Sequence, residues 1–129
     1  MAEKDVIRTD KAPGPFQGAP YNQAIRIGDL VFVAGQLGIS PDTGSLAGVD
    51  VGAQTEQIMA NLSAILEAAG SGLDKLVKTT VFLMDLGDFA AMNDVYAAHV
   101  GDRPPARSTV QISGLPSGAL VEIEAVAST

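Results

Sequence analysis

Residues 50–84, DVGAQTEQIMANLSAILEAAGSGLDKLVKTTVFLM, decide the fold. Their apolar positions Ile58, Met59, Leu62, Ile65, Leu66 and Ala69 recur at the spacing of one helical face. Asp50 is placed to cap the start of that helix and Gly70 to end it. Val77–Met84 is apolar or β-branched except at Lys78 and reads as an interior strand. Upstream, Ala24–Ile27 and Leu30–Gln36 flank Gly28-Asp29, a two-residue hairpin signal. A strand, a long helix and a further strand form a crossover, almost always right-handed, which makes the two strands parallel.

Working outward, residues 5–9 read as a leading strand. Residues 10–23 hold three prolines and two glycines and read as a loop. Beyond the crossover, Asp88 is placed to cap a second helix whose face carries Phe89, Met92, Tyr96 and Val100, with Arg103-Pro104-Pro105 as its stop. Two final strands follow, Arg107–Ile112 and Leu120–Ala127. In the latter, Val121, Ile123, Ala125 and Ala127 share one face, while Leu120, Glu122, Glu124 and Val126 share the other. The order is βββαβαββ, an α+β domain with a mixed sheet and two helices on one face. The opposite face is also rather apolar, so a sheet-to-sheet contact between subunits is expected to cover it.

With 129 residues, the chain predicts a single domain, 1–129. Apolar residues make up 47% and charged residues 18%, enough for a core. The longest uncharged runs, Leu30–Pro41 and Ser108–Val121, are shorter than a membrane span and broken by Gly and Pro. The start, Met-Ala-Glu-Lys-Asp-Val-Ile-Arg, has neither the apolar stretch of a secretory signal nor transit-peptide character, so a cytoplasmic location is expected. A net charge of −7 makes nucleic acid a poor default partner. Without cysteine there is no thiolate nucleophile, and one histidine, His99, cannot build a His-rich metal site.

The remaining chemistry rests on carboxylates, Arg, Tyr, hydroxyls and backbone amides. Arg107 opens a strand, and its planar fork suits a carboxylate held through two hydrogen bonds; a surface arginine or an ion pair fits the same residue. Glu122 and Glu124 lie at i, i+2, roughly 7 Å apart. Such pairs are usually solvated, but burial would raise a pKa into the range of a general acid or base. Tyr21 can close a pocket or pin its loop to the core. His99 reads as a partly exposed cap or interface residue. Ser108 and Thr109 have no imidazole placed beside them, and neither GxxxxGK[ST] nor GxGxxG occurs.

Several segments, in order and nearly ungapped over about residues 12–127, resemble the reactive intermediate (enamine/imine) deaminases, also called the YjgF or L-PSP-like endoribonuclease family. They are Ala12-Pro13 with Gly18–Ala24, Val31–Gln36, Gln54-Thr55 with Asn61-Leu62, Val77–Leu83, Phe89–Tyr96, Pro105–Ser108, and Leu115-Pro116 with Val121–Ala125. The resemblance implies a chorismate-mutase-like fold and a homotrimer whose sheets line a central barrel, with ligand clefts between subunits. It implies cofactor-independent hydrolysis of short 2-enamino or 2-imino acids, such as 2-iminobutanoate and 2-iminopropanoate, to 2-oxo acids and ammonia. These reactive acids are released by pyridoxal-phosphate dehydratases.

By the same resemblance Arg107 grips the substrate carboxylate and Glu122 positions and activates water. Tyr21, Gly35, Asn93 and Thr109 fall at pocket positions. The chain departs from the family pattern where Ala19 is inserted, where Asn22 replaces a serine, and where Ala34 stands at a frequent serine. Thr109 occupies a position often held by cysteine or another small residue. Two other readings compete: RNA cleavage with inhibition of translation, and a non-catalytic module binding small carboxylates or acting as a holdase. The charge balance disfavours the first, and Arg107 alone does not distinguish the second from catalysis.

Overall fold

A computed structural model describes residues 3–129. Its strands are β1 (Asp5–Ile7), β2 (Ala24–Ile27), β3 (Leu30–Leu37), β4 (Leu76–Leu83), β5 (Ala106–Gln111) and β6 (Val121–Ser128); its helices are α1 (Val51–Ala68) and α2 (Phe89–Val100). The element order is the expected βββαβαββ. Boundaries shift by a residue or two, and β1 ends at Ile7 rather than at residue 9.

α1 forms where the periodicity placed it. The Asp50 carboxylate accepts the Ala53 N–H at 2.7 Å, satisfying one of the donors a helix start leaves unpaired. At the other end Gly70 takes φ +81°, its N–H reaches Glu67 O, and Ser71 N–H reaches Leu66 O. That is a Schellman closure, which needs a left-handed residue after the helix. α2 departs from expectation at both ends. Asp88 occupies the cap position without a capping hydrogen bond, whereas Asp85, three residues earlier, accepts the Gly87 N–H. The helix stops at Gly101, φ +71°, before the prolines expected to end it.

The sheet runs β1-β2-β3-β6-β4-β5. β3 and β4 are parallel in direction, as the crossover requires, but they do not touch. β6 lies between them, antiparallel to both. The parallel pair that makes contact is β4 with β5, joined through α2. β6 is the strand farthest along the chain, and no local pattern placed it at the centre of the sheet.

Both helices pack on one face. Ile58, Met59, Leu62, Ile65 and Leu66 of α1 meet Val31, Val81, Val121 and Ile123 of the sheet in one buried cluster, with Met92 and Tyr96 from α2. Gly38 permits this approach, since a Cβ there would stand 2.6 Å from the Gln54 carbonyl oxygen. The other face carries Leu30 and Phe32, 40% and 45% exposed, with Ile27, Phe82, Val110 and Val126. Lys78, Thr80 and Glu124 interrupt it and, with Phe32 and Val126, border a shallow depression of about 390 Å³. Among the described residues, no helix is long and apolar enough to cross a membrane.

Candidate functional site

The six candidate residues fall into two groups, and one chain does not bring the groups together. The first gathers at the open-face side of β3 and β6. Glu122 pairs across the sheet with Phe82 and Leu37 and points away from the core that Val121 and Ile123 enter. Its carboxyl lies against Gly35, inside an irregularity of β3 between Val33 and Gln36. A Cβ on Gly35 would overlap the Glu122 carboxyl, so the carboxyl keeps this position beside a glycine and would have to turn aside for any larger residue. Burial, and after it the charge of Glu124 on the same face, pushes the Glu122 pKa above the ordinary glutamate range.

Tyr21 completes this group. Its hydroxyl oxygen accepts the Phe16 N–H at 2.6 Å, which leaves the phenolic proton free to donate elsewhere. The loop bearing it is moored by buried Gln23, whose Oε1 accepts the Thr9 N–H while Nε2 lies within hydrogen-bonding distance of the Thr9, Ala12 and Pro13 carbonyls. Tyr21, Gly35 and Glu122 border a cavity of about 90 Å³ together with Phe16, Ile39 and Pro116. Drug-sized ligands occupy pockets of roughly 300–1,000 Å³, so this recess suits a very small molecule.

The second group lies on the helix side, at the β5 edge. The Arg107 guanidinium carbon sits 4.9 Å from the Tyr96 ring centroid and 5.5 Å from that of Phe89, close enough for cation–π attraction to orient it. Arg107 has no carboxylate partner: the one ion pair among the described residues joins His99 Nε2 to Glu56 Oε2 at 2.8 Å, tying α2 to α1. Within the described residues of one chain, Arg107 therefore makes no ion pair. Burial raises the pKa of Tyr96, against smaller opposing effects of its hydrogen bond to Thr79 and of the Arg107 charge. Asn93 lies between Phe89 and Tyr96 on the same helical stripe, and Thr109 is two residues along β5 from Arg107. Asn93 Oδ1 and Thr109 Oγ1 are buried without a hydrogen-bond partner within the described chain, which costs free energy unless something else satisfies them.

Arg107 and Glu122 thus stand on opposite faces, two strand spacings apart, roughly 10 Å across the sheet. Sequence reasoning did not find Phe89 and Tyr96 as the aromatic seat of Arg107. Their spacing marked them as core, and the usable signal was polar Asn93 set within the same apolar stripe. Phe16 and Pro116 were also missed, because each reads as an ordinary loop residue. Among the described residues, no three His, Asp or Glu side chains are placed to hold a metal ion.

The arrangement defines a small mixed α+β protein with a half-buried carboxyl in a minute cavity and an unpaired arginine at a sheet edge. The family model described as Endoribonuclease L-PSP matches residues 9–129. A RutC family protein of Pyrococcus abyssi is 49% identical over 124 residues, covering 96% of each chain. The Arabidopsis thaliana protein named Reactive Intermediate Deaminase A, chloroplastic, is 44% identical over 125 residues, spanning 97% of this chain and 66% of that one. Among solved structures, RidA from the Antarctic bacterium Psychrobacter sp. superposes with TM-score 0.92 at 43% identity, covering 97% of this chain and 99% of the other. Escherichia coli TdcF with bound serine gives 0.89 at 39%, covering 97% and 98%. This chain belongs to the RidA/YjgF family of L-PSP-type proteins.

Proposed function

We propose that this protein hydrolyses short 2-imino acids, and the 2-enamino acids in equilibrium with them, to 2-oxo acids and ammonia, at sites completed between the protomers of a homotrimer. The observation that carries this reading is the Glu122 carboxyl. It is held against Gly35 at the wall of a small cavity, and burial raises its pKa, which makes it a stronger base than an ordinary glutamate and suits it to take and return a proton. The substrate class comes from kinship with a relative named a reactive intermediate deaminase. Serine bound to a relative is a small carboxylate of similar size.

In this reading the substrate carboxylate is gripped by Arg107 of one protomer, whose fork is preset by the Phe89 and Tyr96 rings and not spent on any acidic neighbour. The imine carbon then faces Glu122 of the adjacent protomer. Water gives a proton to the carboxylate as its oxygen bonds to that carbon, forming a carbinolamine. The imine π pair moves to nitrogen, which takes that proton; Glu122 then carries the carbinolamine hydroxyl proton to nitrogen as the carbonyl forms and the carbon–nitrogen bond breaks, so that ammonia leaves the 2-oxo acid. Tyr21 offers its free phenolic proton to the ligand. Positioning and one proton relay suffice, because the imine is already an electrophile that water attacks unaided. Cleavage of RNA fits less well, since the net charge is −7 and the single histidine is engaged with Glu56.

The test uses two variants, Arg107→Ala and Glu122→Gln, each expected to slow imine decay in a threonine dehydratase mixture by at least tenfold. Mixed one to one with subunit exchange, they should regain activity, since random assembly gives roughly a quarter of the clefts both an intact arginine and an intact glutamate. Wild-type protein that leaves imine decay unchanged overturns the activity. Variants that stay inactive when mixed overturn the shared cleft.

A further inference from the structure

Among the described residues, only Gln17 and Ser117 combine a side chain with positive φ, at +53° and +61°. Each is followed by a glycine in the same left-handed region, Gly18 at +68° and Gly118 at +72°. Each pair sits in a turn closed by the same bond, Ala19 N–H to Phe16 O at 3.0 Å and Ala119 N–H to Pro116 O at 3.1 Å. Two consecutive left-handed residues under such a bond have the φ signs of a type I′ turn. The two turns lie a hundred residues apart, yet both arise from the spelling Gly-x-x-x-Gly-Ala, at 14–19 and at 114–119. Glutamine and serine are poor choices for this backbone region, and such strain concentrates at ligand clamps.

The first residue of each turn, Phe16 and Pro116, borders the 90 Å³ cavity that holds Glu122 and Gly35. The Phe16 turn is closed on itself. Gly18 N–H bonds Pro15 O, Tyr21 N–H bonds Ala19 O across Pro20, and the Phe16 N–H bonds the Tyr21 hydroxyl. The wall that Phe16 presents is therefore held by backbone bonds and proline geometry. We infer that the twin turns at Phe16–Ala19 and Pro116–Ala119 set substrate size, Phe16 and Pro116 admitting 2-imino and 2-oxo acids with short aliphatic side chains and excluding branched or aromatic ones.

This rests on the deaminase reading for its substrate class and adds to it the residues that choose among substrates. Phe16→Ala is a clean probe, because the bonds that hold the turn and anchor Tyr21 come from backbone atoms of residue 16. Imines are generated in solution by an L-amino acid oxidase from 2-aminobutanoate and from leucine, and kcat/KM for each is read from the protein's competition with semicarbazide capture. The wild type should prefer the 2-aminobutanoate imine strongly. Phe16→Ala should move the leucine-to-2-aminobutanoate ratio by about tenfold or more toward leucine, the scale of a few methylenes in an apolar pocket. Pro116→Ala should move it the same way by less, and it decides the matter if Phe16→Ala does not fold.

Binding of 2-oxobutanoate and 4-methyl-2-oxopentanoate, measured by calorimetry, supplies the same comparison without turnover. A protein that accelerates no imine, yet whose variants gain affinity for the branched oxo acid, loses the deaminase reading and keeps the size wall. Unchanged ratios in folded variants, in either measurement, overturn the wall and leave the deaminase reading standing.

Discussion

At the scale of single residues, the site turns on how Glu122 is housed. Its pKa is raised first by burial and then by Glu124, so ionisation is less favourable in the folded chain than in the unfolded one. The contribution of Glu122 to stability is therefore fully present below the ordinary glutamate pKa, about 4.3, and is lost as pH rises through the raised value. Glu122→Gln does not titrate. Its melting temperature should exceed that of the wild type at pH 7, and the gap should close as pH falls toward 4, a trend read by calorimetry across buffers. A gap constant with pH would mean that the carboxyl is not held as described. Glu122, Arg107 and Gly35 were all named from the sequence through family resemblance. Residue types and spacing alone left Arg107 as good a surface ion pair as a ligand, and Glu122 as good a solvated strand residue as a base. Neither the aromatic seat of the one nor the glycine contact of the other is written in neighbouring residues.

At the scale of elements, α2 and β5 form a unit around Tyr96. The Tyr96 hydroxyl shares a 2.6 Å hydrogen bond with buried Thr79 Oγ1 of β4, and its ring lies beneath Arg107 of β5. Tyr96→Phe keeps the ring but leaves the Thr79 hydroxyl without its partner. Such a loss should cost about 1–3 kcal/mol, measured by urea denaturation. Imine hydrolysis should fall far less than in Arg107→Ala, because a phenylalanine ring still faces the guanidinium. Equal losses of activity in the two variants would assign Tyr96 a direct part in the chemistry. Both helices, the hairpin and the polarity of β6 were legible because each depends on residues within a turn or two of one another. The capping of α2 was misread because Asp85 and Asp88 are both plausible by type, and only the short turn at Leu86–Asp88 decides which carboxylate meets a free N–H.

At the scale of the whole molecule, the uncovered sheet face is the feature to explain. Phe32, Ile27 and Leu30 are each more than a third exposed on one face, and an apolar patch of this kind marks an interface when contiguous. If copies of the chain cover it as proposed, Phe32→Asp should convert a trimer into monomers in sedimentation. Imine hydrolysis should vanish with the clefts, while far-UV circular dichroism is retained. A wild-type protein that is monomeric at micromolar concentration would remove the shared cleft.

By itself the sequence determined the elements, their order and the face each buries, since helical periodicity, strand alternation and turn residues act between near neighbours. It also carried the family, because the motifs survive as contiguous words. Only the tertiary structure decided that β6 enters between β3 and β4, and that Glu122 is pressed against Gly35, 87 positions earlier in the chain. It alone set Arg107 and Glu122 on opposite faces of one sheet. Those outcomes follow from which distant strands bury the most apolar surface together, a balance that no single stretch of chain contains.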